Sequence, residues 1–122
     1  MSLELEQPTF QEQFEAVIKT EDKLQIRDFL DDQNISDVAQ LVDEFPDYES
    51  QIIANMSVHR AASVFKILDL SFQKRIIHEL PANTTASLLN ELPADDRTDF
   101  LEELPSNVVR ELIKLLDPEE RK

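Results

Sequence analysis

The chain has 122 residues, a formal net charge of −14, a hydrophobic content of 41%, no glycine and no cysteine. Its length and apolar content suffice for one packed domain. The missing cysteine excludes disulfides and thiolate metal sites, and the missing glycine argues against glycine-rich phosphate loops, dinucleotide fingerprints and primed β-hairpins.

Residues 1–8 read as a disordered lead ending at Pro8. Met1–Glu6 has neither the basic start nor the apolar stretch of a signal peptide. No apolar run approaches the ~18 residues of a membrane span, so direct membrane insertion of this segment is not expected. Thr9 can cap a first helix with apolar positions Phe10, Phe14, Val17 and Ile18. Thr20-Glu21-Asp22 predicts a turn. A second helix then carries Leu24, Ile26, Phe29 and Leu30, and Asp31-Asp32-Gln33-Asn34 ends it. Ser36 is the predicted cap of a third helix with Val38, Leu41 and Val42, stopped by Phe45-Pro46.

Beyond this point a repeat takes over. Glu79-Leu80-Pro81, Glu91-Leu92-Pro93 and Glu103-Leu104-Pro105 return every 12 residues, and Leu116-Asp117-Pro118 closes the series. The apolar pairs Leu88-Leu89, Phe100-Leu101 and Leu112-Ile113 follow at fixed distance. Traced backwards, the register passes through Leu68 and Met56, with pairs Ile76-Ile77 and Val64-Phe65. Asp69 and Ser57, both capping residues, fill the proline slot. Phe45-Pro46 with Ile52-Ile53 fits the pattern with one residue missing.

Proline lacks an N–H and disfavours the α region in the residue before it. A helix running up to Leu92 should stop there and restart after Pro93 as a helix over 94–103. About ten helical residues rise only ~15 Å and are marginal alone in water. Such units must therefore stack on one another. The expected fold is all-α, a superhelical stack of about nine short antiparallel helices over residues 9–122, built from the 12-residue repeat. Asp117-Pro118-Glu119-Glu120 reads as the start of a further helix, which predicts that the chain is excised from a longer protein.

The overall acidity disfavours nucleic acid, whose binders need clustered Lys and Arg, and favours cations or basic protein surfaces. The charge is uneven. Residues 1–49 hold 14 acids and 3 bases, whereas residues 50–78 hold only Asp69 against Arg60, Lys66, Lys74 and Arg75. That middle stretch is either a solvated face or a docking patch for an acidic partner. Residues 79–122 return to 11 acids and 5 bases.

Nothing supports an enzyme. His59 and His78 lie outside any metal-ligand spacing, and no serine sits in a glycine-flanked nucleophile elbow. The constellation that stands out is Asp95, Asp99 and Glu102, spaced i, i+4, i+7 nearly opposite Phe100, Leu101 and Leu104. Like charges at i, i+4 destabilise a helix by about 0.2–0.5 kcal/mol per pair. Hard carboxylate oxygens suit Mg2+, which takes one or two of them and keeps its waters. A solvated acidic face is the alternative reading.

The repeated Leu-Pro, Leu-Leu and Glu-Leu-Pro register, with Asn34–Val42 upstream, resembles the intracellular N-terminal domain of MgtE-type magnesium channels. The resemblance runs from about Phe10 to Lys122. It implies a superhelical domain of short helices on the cytoplasmic side of the cell membrane. In the family this domain precedes a pair of CBS domains and a transmembrane domain in the same chain, and the full-length protein is a homodimer. It also implies a Mg2+ sensor in which the ion, bridging the acidic face to the CBS domains, stabilises the closed state. The family's Leu-x-x-Asp-Asp-x-x-Asp pattern falls on Leu92–Asp99 and gives Asp95 and Asp99 the role of metal ligands. Glu102 joins them by spacing alone. Two departures stand out: Ile35-Ser36-Asp37 replaces an aliphatic-His-Pro-acid run, and Ser63 replaces an acid. The alternative is a metal-independent interaction solenoid like the middle and C-terminal domains of the flagellar motor protein FliG. Neither an alternating-charge torque helix nor a Met-Phe or Gly-Gly linker is present to support it.

Overall fold

A computed structural model describes residues 8–115. Among them lie nine α-helices and no strand: α1 Phe10–Lys19, α2 Lys23–Asp31, α3 Ile35–Glu44, α4 Glu49–Ala54, α5 Val58–Phe65, α6 Leu70–Glu79, α7 Ala82–Asn90, α8 Ala94–Glu102 and α9 Ser106–Leu115. A 3₁₀ turn, Pro46–Tyr48, leads into α4. The expected helix start at Asp117-Pro118 and most of the expected disordered lead lie outside the described residues.

The helix ends follow from local chemistry. Thr9 caps α1 in a reciprocal box: its Oγ1 accepts from the Glu12 N–H at 3.1 Å, and Glu12 Oε1 accepts from the Thr9 N–H at 2.8 Å. The expected cap at Ser36 is corrected. Asn34 has extended backbone and its Oδ1 accepts from the Asp37 N–H at 2.8 Å, so Ser36 lies inside the first turn of α3. Ser57 and Asp69 hold the N-cap position of α5 and α6, but their side chains make no capping bond. Helix α7 ends at Asn90, two residues before the expected stop. The N–H groups of Glu91 and Leu92 bond to Leu88 and Leu89 three residues back, closing a tight last turn just before Pro93.

The stacking unit is larger than the sequence repeat. Helix α3 packs on α5, α5 on α7 and α7 on α9, while α4 packs on α6. Alternate helices thus stack, α3, α5, α7 and α9 in one row and α4 with α6 in a second, so the structural period is two units. Helices α5 and α7 are the most enclosed: Ala61, Ala62, Val64 and Phe65 are buried on the first, and Thr85, Ala86, Leu88 and Leu89 on the second. On α6 only Ile76 is buried, and on α8 only Arg97 and Phe100.

One position of the unit carries this alternation. Glu49, Gln73 and Arg97 occupy it at 24-residue intervals on α4, α6 and α8, whereas Ala61, Thr85 and Val109 occupy it on α5, α7 and α9. Gln73 Nε2 donates to the Phe65 carbonyl at 2.8 Å, and Arg97 Nη1 donates to the Leu89 and Leu92 carbonyls at 3.4 and 3.3 Å. Each adds a side-chain donor to carbonyls at the C-terminal end of the preceding helix, where the Phe65 and Leu89 carbonyls also accept the N–H groups of Leu68 and Leu92. Glu49, only 3% exposed, instead receives two bonds of 3.1 Å from Arg75 of α6, joining α4 to α6. That carboxylate raises the pKa of Arg75 above the ordinary arginine value, chiefly through the hydrogen bonds.

The front of the chain packs differently. Phe14 is ringed by Phe29, Phe45 and Tyr48, with centroids 6.3, 5.0 and 6.1 Å away. Arg60 of α5 donates from Nη2 to the Leu30 carbonyl at 3.0 Å and to the Gln33 carbonyl, tying the end of α2 to the stack. Leu24 lies outside the core. It is 73% exposed in the first turn of α2, where Ile26, Phe29 and Leu30 face inward.

Candidate functional site

Helix α8 is held to the stack at two points. The Phe100 ring meets Phe65 of α5 edge-on, with centroids 5.3 Å apart at 84°. Arg97 supplies the second point at the end of α7. With Arg97 and Phe100 turned inward, Asp95, Asp96, Asp99 and Glu102 stand exposed.

Asp99 sits at the centre of this charge. Its helical neighbours three and four residues away are Asp95, Asp96, Glu102 and Glu103, all carboxylates. The guanidinium of Arg97 is buried and donates to backbone carbonyls at the end of α7. Among the described residues, no ion pair or side-chain hydrogen bond engages Asp95, Asp99 or Glu102. Asp95 and Asp96 lie in the first turn, where the helix N-terminus favours negative charge. Asp99 and Glu102 lack that support.

The three expected ligands point to different surroundings. Asp99 lines a groove of about 250 Å3 with Asp96, Glu103 and Lys66. Glu102 lines a broader one of about 980 Å3 with Glu79, Lys74 and Arg75. Asp95 borders neither. Among the described residues, no group of three or more acidic, histidine or cysteine side chains comes close enough to cage a metal ion. The donors are hard oxygens that no ion pair among the described residues engages. They suit a hydrated Mg2+ touched by one or two carboxylates and do not suit an ion enclosed by this chain. Asp96 and Glu103 were missed by the stripe of i, i+4, i+7 positions, although their spacing from Asp99 marks them as its neighbours. Ser63, where the resemblance expects an acid, is half-buried on α5 and its Oγ donates to the His59 carbonyl at 3.3 Å.

The fold and this outward acidic helix define a small all-α repeat domain. The family model of the MgtE intracellular N domain matches residues 33–122, and the chain belongs to that family, one of magnesium-transporter domains rather than of enzymes. A search of curated proteins returns no match. No helix among the described residues is long and apolar enough to cross a membrane.

Proposed function

We propose that this domain is a cytoplasmic regulatory, Mg2+-sensing part of a magnesium channel or transporter. Its ligands are Asp95, Asp99 and Glu102. In this reading Mg2+ bridges the acidic face of α8 to CBS domains of the same parent chain and stabilises the closed state. The full-length protein is a homodimer on this reading.

The observation that carries it is the crowding around Asp99: four carboxylate neighbours on one exposed helix, and the helix's own arginine turned inward. A negative face of this kind approaches a second acidic surface only when cations screen or bridge the two. Differential binding of the ion to the docked state then shifts the equilibrium towards closure.

The test is a Mg2+ titration of the domain at constant ionic strength, followed by backbone amide NMR shifts. Constant ionic strength removes the general salt response of a −14 protein. Saturable shifts confined to residues 94–103, lost in Asp95→Asn/Asp99→Asn, are expected. Linear shifts over every acidic helix would overturn α8 as a self-standing site. In the parent protein the same double variant should weaken closure by Mg2+ while leaving the fold intact. Wild-type closure in that variant would remove both residues from the mechanism.

A further inference from the structure

We infer that Lys66 is a tethered counter-cation for α8, and that a divalent ion gains Asp99 by displacing it. The inference rests on the reading of α8 as the metal-responsive face. Lys66 is the exposed C-cap residue of α5. It shares the groove of about 250 Å3 with Asp96, Asp99 and Glu103, beside the apolar side chains of Leu70 and Phe100. It is the cation among the groove's described lining residues, and no salt bridge joins it to a described carboxylate.

An ammonium on a flexible four-carbon stem behaves as a compact, hydrated point charge. Placed in the same groove as three carboxylates, it lowers the negative potential that a dissolved cation would meet. It does so without occupying a fixed geometry. Two cations near one small cluster repel each other, so binding of a divalent ion and retention of the Lys66 ammonium are in competition. Lys66 thereby sets the concentration at which the face responds: removing it lowers the threshold.

The test uses Mg2+ alone, titrated at constant ionic strength into wild type, Lys66→Gln, Lys66→Arg and Lys23→Gln, with the α8 amide shifts as readout. Lys23 is the control because it carries the same charge but lines a different groove, with Lys19, Tyr48 and Asn55. Lys66→Gln should tighten binding about two- to five-fold, the range of an exposed charge pair. Lys66→Arg should behave as wild type, and Lys23→Gln should change little. Saturable binding seen only in Lys66→Gln would also support the inference. Equal tightening in Lys66→Gln and Lys23→Gln would reduce it to a general charge effect and overturn it. Saturable wild-type binding unchanged by Lys66→Gln would overturn the role of Lys66 and leave the Mg2+-sensing reading standing. No saturable binding in any of the four proteins would overturn the inference, whereas the Mg2+-sensing reading falls only if closure of the parent protein is unchanged in Asp95→Asn/Asp99→Asn.

Discussion

Helices α7 and α8 are consecutive copies of one 12-residue unit, each opened by a proline at its N-cap position. Yet α7 is interior and α8 is a ledge. Helix α7 has no charged residue and lies between α5 and α9, burying Thr85, Ala86, Leu88 and Leu89. Helix α8 buries only Arg97 and Phe100 and leaves its acids in solvent. The difference teaches that the unit specifies a helix and its length, while the row it falls in decides what that helix can do. A helix in the enclosed row is committed to packing. Helix α8 buries only two of its side chains and keeps a whole face for charge.

Substitutions at equivalent positions of the two helices sharpen this contrast. The largest difference is expected between Leu89→Ala and Leu101→Ala. Leu89 is fully buried and Leu101 only partly. Loss of Leu89 should cost about 2–5 kcal/mol in urea unfolding, and loss of Leu101 clearly less. Equal costs would mean that α8 is as deeply committed to the core as α7.

The next pair is Thr85 and Arg97. The Thr85 hydroxyl is buried and has no hydrogen-bond partner among the described residues, so Thr85→Val should be neutral or stabilising by up to about 1 kcal/mol. Arg97→Met strips the Leu89 and Leu92 carbonyls of a donor and should destabilise by about 1–3 kcal/mol. The reverse order would break the assignment of this position as the one that anchors the outer row.

The smallest effect belongs to Ser87 and Asp99. Asp99→Asn relieves like-charge crowding and should stabilise by a few tenths of a kcal/mol at low salt, fading as salt rises. Ser87→Asn, with no charge to relieve, should show no such salt dependence. A salt-independent gain from Asp99→Asn would point to packing rather than electrostatics.

Much of this was legible in the chain. Proline and capping chemistry act within a few residues, so the helix count and most boundaries followed from local spacing. The inward side of α8, with Phe100 and Leu101, followed from the 100° step of a helix. Ser36 misled because Asn34, two residues earlier, competes for the same capping role, and a choice between neighbouring caps turns on backbone geometry. The 24-residue alternation of Glu49, Gln73 and Arg97 was present in the letters. It was hidden because the 12-residue punctuation is the same in both rows.

The sequence by itself determined the all-α class, the 12-residue unit and a net negative chain, because these depend on backbone chemistry and on counting charges. It also singled out the acidic stripe of α8. Only the tertiary structure decided that helices two units apart stack, that Arg97 turns inward onto carbonyls, and that Lys66 shares a groove with Asp99. Those outcomes depend on which buried surfaces close against each other across the stack, and residues 24 positions apart become neighbours only when the intervening helix has folded back.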